Sequence, residues 1–339
     1  MAATLVATGI YLTWLLVAHW REIDRALLRF RAAQTRWLLA AVGLELVSQL
    51  CLVLAQHRLL RRAGSRFGVF ATARLVLAQN AISMAVPGGQ AVASVFSYRQ
   101  IRRRGAETTA AAWVVAATNV TTMAALATFG AFTATGFSWL TILSGTALLT
   151  ALAVLVTLAR RPERLARPAV ALVRLIDHLP LRHPRAESPQ TRVQHRFDRL
   201  RAVHMRWNDW AFIGGAACSA VAADFAVWYC ASRAMIVLPA RCAATGLTGR
   251  VLQQCAAFHT PTTAGLLVAY SAGQAALQLP LPGGVGAVEA LMTASLTTVK
   301  VRAIQALSAV LLYRFISFWG VATIGAVMWL TMRRRRQAP

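Results

Sequence analysis

Leu279-Pro280-Leu281-Pro282-Gly283-Gly284-Val285-Gly286-Ala287-Val288-Glu289 is the stretch on which the fold turns. It lies inside a long apolar region, yet it interrupts a helix. Pro282 has no N–H to donate and cannot continue a helix from its N-terminal side, and the glycines tolerate backbone angles that other residues avoid. A second helix is expected to restart near Gly286, with Glu289 in its first turns. A helix broken inside a bilayer frees polar backbone groups, which persist only where protein or a water-filled cavity satisfies them. The break is therefore a candidate site.

The same signal occurs earlier, as Val86-Pro87-Gly88-Gly89-Gln90-Ala91-Val92. Laying Pro87 on Pro282 also brings Gln79 onto Gln274 and Asn119 onto Arg314. Two Pro-Gly-Gly breaks in corresponding places of two halves is the pattern of a transporter built from repeats.

Composition sets the solvent. Of the 339 residues, 57% are hydrophobic and 14% charged, whereas a soluble domain has roughly 25% charged residues. Residues 108 to 159 carry no charged side chain. A span needs about 20 apolar residues, so that run holds two helices with a turn near Gly130 to Gly136. The expected class is all-α: a polytopic helical membrane protein with about eight hydrophobic segments, two Pro-Gly-Gly breaks that can form re-entrant hairpins, and two repeat-like halves. The net charge of +25 would suggest nucleic acid in a soluble protein. Here the arginines flank apolar spans, so they read as topology signals and as partners of anionic lipid headgroups, with no nucleic acid expected. Five scattered cysteines show no metal spacing.

Along the chain, residues 4 to 19 are expected to form a first span, uncleaved, and Arg21 to Arg36 an amphipathic surface helix. Further spans are expected at 37 to 56, 107 to 132, 136 to 158, 210 to 236 and 303 to 331. Residues 67 to 86 and Ala91 to Tyr98 flank the first break, and the second of these pieces is too short to cross. Residues 251 to 281, interrupted by His259-Thr260-Pro261, and 286 to 299 flank the second break. The whole chain, 1 to 339, forms one membrane domain: a first half to 158, an arginine-rich cytoplasmic connector from 159 to 209, and a second half from 210. The run Arg333-Arg334-Arg335-Arg336 places the C-terminus in the cytoplasm of an inner-membrane protein.

Five ionisable residues fall at membrane depth: Glu45, Arg74, Asp224, Glu289 and Arg314. Each costs at least a few kcal/mol there unless paired or wetted. Arg74 and Arg314 can contact a headgroup phosphate, or they can be ion-pair partners that hold helices together. Glu45 reads as interfacial and Asp224 as a structural partner. The glycines after each break leave helix N-terminal amides that favour an anion. Gln79, Asn80, Asn119 and Gln274 can line the same cavity or glue helices. Tyr313 and Trp319 read as anchors or packing residues. No catalytic, metal or nucleotide-binding signature is present, so neither an enzyme nor a cofactor is expected.

The second break, followed by Ala303 to Ala309 and Leu312-Tyr313-Arg314-Phe315-Ile316-Ser317-Phe318-Trp319, resembles a signature of the lysylphosphatidylglycerol synthase transmembrane region family. The run from Asn80 to Gly105, with Pro87-Gly88-Gly89 and Arg102-Arg103-Arg104-Gly105, resembles that family's other signature. The resemblance implies a flippase-like membrane protein and carries over Pro87, Gly88, Gly89, Pro282, Gly283, Gly284, Glu289 and Arg314 as site positions. Gln90 stands where many relatives have an acidic residue. Members with a fused aminoacyl-transferase domain make a cationic lipid, and the chain to Pro339 shows no such domain, so that synthesis is not expected of it. The function expected is lipid binding or movement between leaflets. The rival readings are a proton-coupled solute transporter using Glu289 and Asp224, and a non-transporting scaffold.

Overall fold

The computed structural model describes residues 34–86, 88–135, 205–236, 260–279 and 281–334. The expected elements at 4 to 19, 21 to 33 and 136 to 158, most of the 159 to 209 connector, and residues 237–259 lie outside the described residues. So does Pro87.

Every described element is helical. In chain order they are α1 (Thr35–Arg62), α2 (Val69–Ala85), α3 (Gly89–Arg103), α4 (Thr108–Thr135), α5 (Trp207–Met235), α6 (Thr263–Ala276), a single 3-10 turn (Pro282–Gly284), α7 (Ala287–Thr298), α8 (Ala303–Arg314) and α9 (Val321–Arg334). A π-helical turn, Phe315–Gly320, fuses α8 to α9. Four stretches are long and apolar enough to cross a membrane: Thr35–Arg62, Thr108–Gly130, Trp207–Met235 and Ala303–Met332. Large apolar side chains on them, such as Leu39, Leu46, Phe315 and Leu330, remain exposed. A bilayer, and not water, is the solvent that suits such a surface. The protein is a polytopic helical membrane protein.

The helix ends follow local chemistry. α1 stops where Gly64 takes a positive φ of 73° and the Ser65 N–H donates back to the Leu60 carbonyl, a left-handed stop that glycine makes inexpensive. α6 starts at an N-cap, where the Thr262 hydroxyl accepts from the Gly265 N–H at 3.2 Å. Pro261 therefore precedes the α6 N-cap and does not kink a continuous span. α3 runs to Arg103, well beyond the expected Tyr98, so it carries part of the arginine collar as helix. Arg36 belongs to the first turn of α1, and Trp207 to Asp209 already belong to α5.

Two antiparallel helix pairs build the frame. α1 and α5 are joined from end to end. Arg58 and Arg62 clasp the fully buried Asp209 at 2.8 and 2.9 Å, the Ser48 hydroxyl donates to the Ala220 carbonyl at 3.0 Å, and Trp37 meets Tyr229 edge to face. α9 lies along α2. Gly325 is pressed onto the Leu77 carbonyl, and Arg74 donates to the Thr331 hydroxyl at 2.9 Å. A core of Val227, Trp228, Leu266, Tyr270, Val288, Met292, Leu296 and Val310 ties α5, α6, α7 and α8 together. A second core, around Leu59, Leu60, Leu75, Ile101, Val114 and Ile213, does the same for α1 to α5.

The repeat is visible in the helix boundaries. The shift that carries Pro87 onto Pro282 carries Arg103 onto Thr298 and Thr108 onto Ala303, which are matching helix ends and starts. It also carries Val69 to within one residue of Thr263. Both halves thus present a short helix, a glycine break, a second short helix and a longer one.

Candidate functional site

The second break is held in place by Arg314. Its Nε donates to Glu289 Oε1 at 2.9 Å and its Nη2 donates to the Gly283 carbonyl at 2.7 Å. The guanidinium lies 3.9 Å from the centre of the Phe318 ring, close enough for a cation–π contact. Arg314 is 3% exposed. Glu289 sits at the third position of α7, where its other carboxylate oxygen accepts from the Gly286 N–H at 2.7 Å. The anion that suits a bare helix N-terminus is thus supplied within the chain.

Gly283 and Gly284 have φ of 54° and 64°, a region that side-chain-bearing residues enter only at a cost. Gly283 also has no room for a Cβ, because one would run into the Phe318 ring. At the first break Gly88 has φ 63°, and a Cβ on Gly89 would collide with the Ser83 carbonyl. The glycines are required by backbone angle and by close approach together.

Between the breaks lies a cavity of about 470 Å³. Gly88 and Gly89 of the first break, and Gly283 and Arg314 of the second, line it. Pro282, Gly284 and Glu289 stand behind that wall, and Arg74 is away from it, engaged with Thr331 at the junction of α2 and α9. The polar lining comes from both halves. Gln79 accepts from the Ser97 hydroxyl, Asn119 donates to Ser94 and accepts from Gln90, and Asn80 donates to Gln49, which donates to Glu45. Gln79 and Gln274, paired by the sequence repeat, both face the cavity, and so do Asn119 and Arg314.

Two carboxylates complete the wall. Asp224 Oδ2 accepts from the Tyr270 hydroxyl at 2.7 Å, from the Tyr313 hydroxyl at 3.0 Å and from Gln274 Nε2 at 3.4 Å. Glu45 is 6% exposed and well inside the 28-residue α1. It is a buried cavity residue and does not sit at the interface. The reason is the face of α1 that it occupies: Glu45, Ser48, Gln49 and Leu52 line the cavity together.

Sequence reasoning passed over Tyr270 and Tyr313 as site residues. Tyr313 read as an anchor because aromatic residues gather at membrane interfaces. The available signal was Asp224 itself, since a carboxylate in an apolar span must find donors. The π turn directly after Arg314 has no signature in the sequence, although such turns recur at functional sites.

A family model for the lysylphosphatidylglycerol synthase TM region matches residues 1–325. The chain belongs to this family. No curated protein matches it. As a member of the lysylphosphatidylglycerol synthase TM region family, it is a multi-pass membrane protein related to lipid handling.

Proposed function

We propose that this protein binds a lipid headgroup in the cavity between the two breaks and moves the lipid between leaflets of the inner membrane. The observation that carries this reading is the lining itself: carboxamide and hydroxyl side chains and the break glycines of both repeat halves meet around one polar space inside a bundle of membrane-length helices. Such groups offer a headgroup the hydrogen bonds it leaves behind in water, while the acyl chains stay in the bilayer. The short helices beside the breaks, 17 and 15 residues in α2 and α3 and 14 and 12 in α6 and α7, would act as re-entrant hairpins. The activity is transport and not bond-making chemistry, and it needs no cofactor.

Anionic lipids would approach along a second groove of about 450 Å³ formed by α2, α3 and α9. Val92, Val95, Phe96, Trp329 and Met332 make it apolar, and Arg99 and Arg103, one turn apart on α3, make one end of it cationic. This combination suits an acyl chain and a phosphate on the same molecule. With the arginines of α3 and of the C-terminus on the cytoplasmic side, the groove opens toward the cytoplasmic leaflet.

The test is lipid movement in proteoliposomes carrying fluorescent phosphatidylglycerol, phosphatidylethanolamine or an aminoacylated lipid. Wild type is expected to move at least one of them. Asn119→Leu, which replaces a lining amide by an apolar side chain while leaving the Arg314 clamp intact, is expected to slow that movement in protein that still melts cooperatively. Equal rates in wild type, Asn119→Leu and protein-free vesicles would overturn the reading.

A further inference from the structure

Charge does not balance in the cavity. Arg314, the cation in its wall, is already committed to Glu289 and the Gly283 carbonyl. Glu45 and Asp224 are left without an ion-pair partner among the described residues.

The two carboxylates share one level of the bundle. Ser48 of α1 is bonded to Ala220 of α5, and in an antiparallel pair a step of about one turn back on α1 and forward on α5 reaches Glu45 and Asp224. Both face the same cavity. The neighbouring elements bring little to neutralise them. α4 is uncharged from Thr108 to Gly130 and α6 carries no charged residue. α2 has only Arg74, which is turned to Thr331. α8 brings Tyr313 and Arg314. On α1 and α5 themselves, Arg36 lies over Trp37, Arg58 and Arg62 hold Asp209, and Arg233 lies over Tyr229.

Glu45 also has an unmet need. Its Oε1 accepts from Gln49 at 2.8 Å, and its Oε2 is buried with no hydrogen-bond partner among the described residues. An oxygen left unsatisfied in a polar cavity marks a place where a ligand belongs. Two like charges this deep in the bundle do not both persist without a counter-charge.

We propose that Glu45 and Asp224 form a site for one monovalent cation, a proton or a sodium ion, held between Glu45 Oε2 and the Asp224 carboxylate. The Tyr270 and Tyr313 hydroxyls hold Asp224 in position for it. Occupancy neutralises the cavity beside the proposed headgroup path, so cation binding and lipid entry act on the same space. An ion gradient can then drive the lipid. The pair differs from a Glu289-based site, because Glu289 is used by Arg314 and the α7 N-terminus. The proposal rests on the cavity of the preceding reading but not on lipid movement, and its test contains no lipid-transport step.

The experiment uses the purified full chain in lipid nanodiscs. Binding of radioactive sodium is measured by scintillation proximity, and the carboxylic-acid C=O band is followed by infrared difference spectroscopy across a pH titration with and without sodium. Saturable sodium binding that is lost in both Glu45→Gln and Asp224→Asn would establish a sodium site. An acid band that is lost in Glu45→Gln and indifferent to sodium would establish a proton site. Glu45→Asp keeps a carboxylate and is expected to retain a weakened signal, which separates loss of the ligand from loss of the fold. Wild type with neither sodium binding nor a Glu45-dependent acid band would overturn the proposal, whatever the lipid assay shows.

Discussion

Arg314 holds the carbonyl oxygen of Gly283 at 2.7 Å, thirty-one residues back along the chain, and so fastens α8 to the broken segment before α7. The same guanidinium pairs with Glu289 at 2.9 Å. One side chain therefore fixes both the position of the break and the start of the helix that follows it. Removing one partner of a buried pair leaves the other uncompensated, which costs about 3–5 kcal/mol. Arg314→Ala is expected to lose about that much, and Glu289→Gln less, since glutamine keeps an acceptor and Arg314 keeps the Gly283 carbonyl and the Phe318 ring. Thermal melts in detergent of the two single variants and the double variant check this. A double variant no worse than Arg314→Ala is the expected sign of coupling. Strict additivity would show that the pair does not act as a unit.

Asp224 depends on its tyrosines. Tyr313→Phe and Tyr270→Phe each remove one hydroxyl donor from a carboxylate that has no ion-pair partner among the described residues, at about 1–3 kcal/mol apiece. In the background of Asp224→Leu the same substitutions should cost little, because nothing remains to be donated to. Melts across that four-variant cycle decide it. Costs that persist unchanged in the Asp224→Leu background would mean that the hydroxyls matter for another reason.

The breaks, the long spans and the repeat were legible because each rests on local chemistry: proline, glycine and runs free of charge. The start of α7 and the place of Glu289 in its first turn followed from the same logic, since a helix restarting after Gly286 has to begin within a residue or two. What Glu45 and Tyr313 face was not legible. A hydropathy pattern that is apolar on every side of a helix carries no phase, so it does not say which residues turn inward. Glu45 lay in such a run, and the face that it shares with Ser48, Gln49 and Leu52 turns inward only through packing against α5. The Arg74–Thr331 contact joins residues far apart in sequence, and no local signal foretells it.

Asp209 neutralises two arginines that reach it from the last turns of α1. Either arginine alone leaves the carboxylate paired, so Arg58→Ala and Arg62→Ala should each cost under about 1 kcal/mol, as partly exposed pairs do. The double substitution strands a fully buried carboxylate and should cost more than their sum, at about 3–5 kcal/mol. Chemical or thermal unfolding of the three variants tests this. A double variant matching the sum of the singles would deny the shared role.

Gly283 faces two penalties, and they can be separated. Gly283→Ala must accept a φ of 54° and must also push the Phe318 ring aside. Left-handed backbone costs a non-glycine residue roughly 1–2 kcal/mol, and overpacking adds about 1–3 kcal/mol. Phe318→Leu removes the ring and so relieves the second penalty, leaving the first. Relative to Phe318→Leu alone, adding Gly283→Ala should therefore cost about 1–2 kcal/mol, clearly less than the same change costs in wild type. A comparison of melting temperatures among the four proteins reads this directly. If Gly283→Ala costs as much without the ring as with it, close approach to Phe318 is not what reserves the position for glycine. Backbone angle alone would then account for it.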